Sequence, residues 1–323
     1  MMMQHPATSV SVVICAYTEA RWNSLLEAVE TVRAQALSPH EIIVVIDHNP
    51  TLYTRARKAL PDCIVVQNSA APGLSGARNT GIAATDGDII AFMDEDASAA
   101  PDWLTQLVGS YRNAHVIGVG GAIEPNWLTG RPRWFPPEFD WVVGCTYRGM
   151  PTKMATVRNL IGCNMSFRRT IFGEIGGFRS TIGRIGAHPF GCEETELCIR
   201  AKQRCPDYVF MYAPHARVYH QVPPQRATWR YFRARCYAEG ISKALVTQYV
   251  GQRDGLAAER QHALRTLPRA VCAALLDAMV HRDPAGVYRA VAIITGLTLT
   301  TLGYLQGTTR ASALTVMERA ANV

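Results

Sequence analysis

No two cysteines in this chain stand in C-x-x-C spacing, although it holds nine, at 15, 63, 145, 163, 192, 198, 205, 236 and 272. So odd and scattered a set argues against a disulfide framework and a zinc knuckle, and points to reduced, buried thiols. Charge is scarce at 18%, aromatic residues reach 8%, and no repeat or low-complexity tract is present. Disordered, collagen-like and solenoid readings therefore fail. The opening MMMQHPATSVSVVICAY lacks a basic stretch followed by a long apolar one, which leads us to expect a catalytic part facing the cytosol rather than a secreted one. What the chain does have is 323 residues, 48% of them hydrophobic, and a net charge of +7. That is enough for a real core in about two domains, and the positive balance suggests an anionic partner: nucleic acid, a phosphate-bearing substrate or an acidic membrane surface.

Hydrophobic patterning supplies the fold class. SVSVVICA (9–16) is a β-branched apolar run of strand length, and Trp22, Leu25, Leu26, Val29 and Val32 follow at helical spacing. Ile42 to Asp47 reads as a buried strand ending on an acid; CIVVQN and GDIIAFMDED read as the third and fourth strands, with helical stretches between them. Alternation of this kind predicts a mostly parallel sheet flanked by helices, an α/β architecture. In such sheets ligands collect at the carboxyl ends of the strands, where this sequence places Tyr17 and Glu19, Asp47 and His48, Asn68, and Asp94-Glu95-Asp96. IGVGGAIE (117–124) is a further strand, RPRWFPPEFDWVVG a Pro- and aromatic-rich loop, and YVFMYAPHARVYH a late strand. Trp134, Phe135, Trp141 and Tyr147 in that loop either stack on a sugar or lipid or form a local core. Beyond about 225 come basic aromatic and amphipathic helices, then an uncharged stretch from Ala290 to Thr309 with six threonines and three glycines. Its length suffices to span a bilayer, yet its polarity favours a surface-lying or partly inserted helical pair. We expect residues 1–225 as a catalytic domain, with a donor half of about 9–124 and an acceptor half of about 125–225, and residues 226–323 as a helical interfacial or oligomerisation region.

Two acidic clusters carry chemistry. Asp94, Glu95 and Asp96 crowd the end of a buried strand, an arrangement that makes sense beside a divalent cation and a phosphate-bearing ligand; a solvated turn capping the next helix is the alternative. In Glu193-Glu194-Thr195-Glu196, Glu193 and Glu196 share a helix face while Glu194 points elsewhere. Acids in a first helical turn also suit the helix dipole alone.

The segments VVICAYTEA, IIVVIDHN, GLSGARNTGI, IIAFMDED, GCNMSFRR with GGF, and EETELCIR occur in an order and spacing that resemble the family 2 inverting glycosyltransferases, over about residues 9 to 245. The resemblance implies the GT-A nucleotide-diphospho-sugar transferase fold with a C-terminal helical appendage. It implies that Tyr17, Glu19 and Asp47 hold the nucleobase and ribose, that Arg78 closes over the base or phosphate, and that Asp94, Glu95 and Asp96 form the D-x-D region. Asp96 and His220 are then the ligands of Mn2+ or Mg2+, and Asn164 lies near the donor sugar and acceptor. Glu194 aligns with the catalytic base, where the family commonly has Glu-Asp. The extra methylene keeps Glu193 open as a second candidate. Gln225, Arg226 and Trp229 stand where processive relatives carry Q-x-x-R-W, but at altered spacing; Arg226 and Trp229 are candidates for phosphate or acceptor contact, or for a solvated helix face.

DHNP, EGISKA and the amphipathic tail resemble the polyprenyl-phosphate-linked glucuronosyltransferase branch. That implies a nucleotide diphosphate sugar donor, a UDP-sugar favoured, a polyprenyl-linked acceptor, and peripheral contact with the inner face of the cell membrane. A soluble enzyme acting on a natural product or polysaccharide, with the tail forming a homodimer, stays open. Two other classes compete. A nucleotidyltransferase would need an N-terminal glycine-rich phosphate loop, which SVVICAYTEARW lacks. A noncatalytic nucleotide-sugar or nucleic-acid binder would bind without transfer; no nucleic-acid module surrounds the basic aromatic helix, so no nucleic acid is expected.

Overall fold

The computed structural model describes residues 8–183 and 191–321, with side chains described up to Thr309. Residues 184–190, ahead of Gly191, lie outside the described residues. The chain divides into two compact units. One comprises residues up to Asn126, Pro151–Thr181 and Leu197–Gln221; the other comprises Trp127–Met150, Ile182–Glu196 and the chain from Val222 onward. The aromatic-rich loop and the segment ahead of Glu196 thus cluster with the C-terminal helices, where the sequence suggests a division at 225.

The first unit is built on a mixed sheet. Its strands are β1 (Val10–Ala16), β2 (Glu41–Ile46), β3 (Ile64–Gln67), β4 (Ile89–Asp94), β5 (Ala97–Ala99), β6 (Val116–Trp127), β7 (Ala155–Val157), β8 (Asn164–Arg168) and β9 (Val209–Val222). They run in the order β3-β2-β1-β4-β8-β6-β9-β5, with β7 on β9. Strands β3, β2, β1 and β4 pair in parallel. Beyond β4 the observed pairings of β8, β6, β5 and β7 are antiparallel. The parallel expectation therefore describes the donor half. Helices α1 (Trp22–Arg33), α2 (Pro50–Ala59) and α3 (Leu74–Ala84) make the crossovers that parallel pairing requires. Every residue of β1 is buried, as a central strand covered on both faces demands.

Close packing of α3 on the sheet depends on Gly81, where an added Cβ would lie 2.4 Å from a Val13 methyl. Helices α4 (Trp103–Gly109) and α5 (Thr170–Ile175) are short. Helix α6 (Glu193–Arg204) contributes Leu197, Cys198 and Ala201 to the sheet's core, alongside Phe92, Phe167 and Phe178.

The second unit is helical: α7 (Trp229–Val250), α8 (Gln252–Gly255), α9 (Ala257–Gln261), α10 (Leu267–Val280) and α11 (Ala285–Ala321). Phe135 is fully buried against Trp127, Trp134 and Phe232, so part of the aromatic loop is a local core. Helices α7 and α11 meet backbone to backbone. A Cβ on Gly240 would stand 2.0 Å from the Thr300 carbonyl, and one on Gly303 would stand 2.1 Å from the Tyr237 carbonyl. Thr300 Oγ1 donates across the crossing to the Cys236 carbonyl at 3.1 Å.

Candidate active site

At the end of β2 the tetrapeptide Asp47-His48-Asn49-Pro50 has a local explanation. His48 adopts a left-handed φ of 49°. Asn49 caps α2, its side chain accepting from the Leu52 N–H at 2.9 Å, and Pro50 occupies the first turn, where its missing N–H costs nothing. This sharp turn leaves Asp47 facing the neighbouring strand ends. Its carboxylate accepts from Asn68 Nδ2 at 2.6 Å and from the Gly73 N–H at 2.9 Å, and pairs with His48 Nδ1 at 2.8 Å. Asp47 therefore fixes the loop that opens α3. Tyr17 and Glu19, just past β1, are exposed, with Arg21 over the Tyr17 ring and Arg55 3.9 Å from Glu19.

The acidic triplet past β4 is held by groups far away in sequence. Arg21 Nη1 lies 2.7 Å from Glu95 Oε1 and 3.2 Å from Asp96 Oδ2. Asp96 Oδ1 lies 3.2 Å from His220 Nε2, and all three of Glu95, Asp96 and His220 are buried. Burial pushes the Glu95 carboxyl up; the Asp96 charge adds to that effect and Arg21 opposes it. His220 reaches this place through antiparallel pairing of β5 and β9, which sets it opposite Ala97, the residue after Asp96. The pairing is reinforced where the Gln221 N–H donates to the Asp96 carbonyl at 2.8 Å.

Donor atoms of Asp94, Cys163 and His220 lie within 4.8 Å of one another. A carboxylate, a thiol and an imidazole thus lie together at this end of the sheet, donors that would suit a divalent cation.

Two expected binding groups turn out to be framework as well. Arg78 is 2% exposed; its guanidinium donates to the Gly162 carbonyl at 3.2 Å and lies 3.5 Å from Asp94 Oδ1. It thus braces Asp94 at the end of β4. Asn164 has no exposed surface: its amide accepts from Trp103 Nε1 at 2.8 Å and donates to the Ala122 and Ala216 carbonyls. Those bonds spend the amide on joining the strands around it. Sequence reasoning passed over Arg21 and Cys163. The available signals were a basic residue one turn past a strand end and a thiol inside GCNMSFRR.

In the second unit, Glu193 is buried and Glu194 partly so, both in the first turn of α6. The approach to that turn is pinned to α7. Cys192 takes a left-handed φ of 75°, its thiol donating to Glu239 Oε1 at 3.1 Å, while the Gly191 N–H donates to Ser242 Oγ at 3.2 Å. Burial would raise the Glu239 carboxyl, but Arg235 and Lys243 outweigh it and hold the group below its usual range. The EGISKA stretch thus has a structural job. Arg226 is buried in a short 3-10 turn, and Trp229 stacks on Phe232 with rings 5.4 Å apart while keeping 37% of its surface exposed.

Comparison with known proteins identifies the family. The profile of Glycosyl transferase family 2 matches residues 11–176. A glucosyl-dolichyl phosphate glucuronosyltransferase of Haloferax volcanii is 36% identical over 241 residues, 73% of this chain and 77% of the relative. The succinoglycan biosynthesis protein ExoM of Rhizobium meliloti is 24% identical over 270 residues, 81% of this chain and 80% of the relative. Among solved structures, a crystal structure of GalNAc-T7 with UDP, GalNAc and Mn2+ superposes with a TM-score of 0.50 at 17% identity, over 72% of this chain. This chain spans 48% of that one, and the likeness speaks for the GT-A fold alone.

Proposed function

Because this chain belongs to glycosyl transferase family 2 and is a glycosyltransferase, we propose that it moves a glucuronosyl group from a UDP-sugar to a polyprenyl-phosphate-linked acceptor, inverting the anomeric carbon. Similarity to the Haloferax volcanii glucuronosyltransferase over most of both chains supports the sugar and the lipid-linked acceptor. The observation that carries the catalytic reading is the burial of Asp96 and His220, 3.2 Å apart, with His220 also near Asp94 at the carboxyl end of the parallel strand β4. Arg21 and Arg78 offset part of the charge of the three carboxylates there, and a cation would offset more.

In this reading Tyr17, Glu19 and Asp47 receive the nucleoside, and Asp94, Asp96 and His220 hold a divalent cation. Such a cation supplies Lewis-acid stabilisation of the departing diphosphate, an effect of several kcal/mol. Arg21, paired to Glu95 and Asp96, offsets repulsion within the triplet. Glu194 takes the proton of the acceptor hydroxyl as that oxygen attacks in line, a contribution of about 10² to 10⁴ in rate. One displacement inverts the centre. Glu193, in the same helical turn, is the second candidate for the base. Arg226 and Trp229 are assigned to the acceptor phosphate and its surroundings.

We place the protein peripherally on the cytoplasmic face of a membrane. Ala285–Thr309 of α11 is long and apolar enough to cross one, by length and composition. Its glycine-lined side is committed to α7, while Tyr288, Ile294 and Leu305, with Leu276 and Met279 of α10, are exposed. An interfacial position satisfies both faces.

A thermal-shift panel of nucleotide sugars with Mn2+ tests the donor: UDP-glucuronate is expected to raise the melting temperature by mass action. Transfer of labelled glucuronate into an organic-extractable lipid then tests the acceptor. Stabilisation by a guanosine diphosphate sugar alone would overturn the donor assignment.

A further inference from the structure

Cys163 has no part in the chemistry above, yet it is 4% exposed at the same strand ends, its sulfur within 4.8 Å of donor atoms of Asp94 and His220. We propose that Cys163 is a ligand of the cation, supplying a thiolate that biases this centre toward softer divalent ions over Mg2+; the proposal rests on the reading that Asp94 and His220 hold a metal.

Each donor is fixed by backbone. Asp94 ends β4 in register with Cys15 of β1, and His220 lies opposite Ala97. Cys163 sits in a tight turn closed by the Asn164 N–H donating to the Ile161 carbonyl at 3.1 Å. Arg78 grips the Gly162 carbonyl of that same turn, and an added Cβ on Gly162 would lie 2.7 Å from its guanidinium. The turn therefore cannot swing the sulfur away without disturbing the arginine that braces Asp94.

Tetrahedral ligands at about 2.0 to 2.3 Å from one ion stand roughly 3.3 to 3.8 Å apart, so donor atoms within 4.8 Å of one another reach that geometry by drawing in by no more than about 1.5 Å. An imidazole, a carboxylate and a thiol form a mixed N/O/S set, of the kind that Zn2+, Co2+ or Cd2+ takes readily and that Mg2+ does not require. Formation of the sulfur–metal bond breaks the S–H bond and releases one proton to the buffer, with no change of oxidation state.

Co2+ added to the full-length protein is the direct probe. A thiolate-to-Co2+ charge-transfer band in the near ultraviolet is expected, lost in Cys163→Ser and kept in Cys15→Ser, the control thiol on the neighbouring strand. Calorimetry should show Cys163→Ser weakening Cd2+ binding by about 100-fold and Mn2+ binding by less than about 3-fold. Co2+ binding without the band, or a band that persists in Cys163→Ser, would overturn the proposal while leaving the metal reading standing. Failure to bind any divalent ion would overturn both. If Cys163→Ser does not fold, alkylation of the wild-type protein followed by mass spectrometry decides: Co2+ must protect Cys163, and unprotected labelling counts against it.

Discussion

The strand ends of the sheet and the outer faces of α10 and α11 break opposite rules. At the strand ends, ionisable groups are buried: Arg78, Glu95, Asp96 and His220 are each under 9% exposed. On the two helices, apolar groups are exposed, with Met279 at 77% and Leu276 at 58%. Burying charge costs free energy unless partners repay it, and exposing large apolar side chains forgoes stabilisation that the core would supply. In the reading proposed above, both surfaces are completed on binding, although the strand-end charges already have partners within the chain. The lesson lies in the kind of completion. In that reading the converging polar groups meet an ionic ligand, and the apolar face with a firmly packed back meets an apolar phase.

That contrast can be broken experimentally. The largest effect is expected from Glu194→Gln, which removes charge with little change of shape. Turnover should fall by about 10² to 10⁴ while the donor-induced thermal shift survives, and retained turnover would return the base to Glu193. Next comes Gly121→Ala, whose Cβ would lie 1.8 Å from the Ala216 carbonyl and 2.4 Å from Asn164 Nδ2. Wedging apart strands that frame the site should cost about 3 kcal/mol or more, read by urea denaturation.

Asp96→Ala should weaken Mn2+-dependent donor binding by about 100-fold, about 2.7 kcal/mol, in calorimetry with and without the ion; an unchanged dependence on the ion would remove Asp96 from the metal site. The smallest effect on folding belongs to the other side of the comparison. Leu276→Glu with Met279→Glu should change stability by no more than about 0.5 kcal/mol each, yet abolish flotation with anionic vesicles. If those two substitutions leave vesicle binding intact, the exposed face is not the membrane contact.

Much of this was legible beforehand. Continuous apolar runs ending in Asp47 and Asp94 mark buried parallel strands, and each carries its acid to the edge where ligands gather. DHNP reads as cap chemistry once its helix is seen, because Asn and Pro have position-specific preferences at helix starts. Strands β5 and β7, of three residues each, left no periodic trace to follow. Helix α11 runs on to Ala321, well past the uncharged stretch that drew attention to it. The burial of Arg78 and Asn164 was hidden too, since nothing in a polar residue type says that a neighbouring turn or two strands will consume its hydrogen bonds.

The sequence by itself determined the alternation of strands and helices, the acids at strand ends and the family motifs, because these are encoded by neighbours a few residues apart. Only the tertiary structure decided that Arg21 would neutralise an acid 74 positions later, and that His220 and Cys163 would meet beside Asp94. Those meetings are set by strand order and register, through backbone hydrogen bonds that any of many side chains would permit.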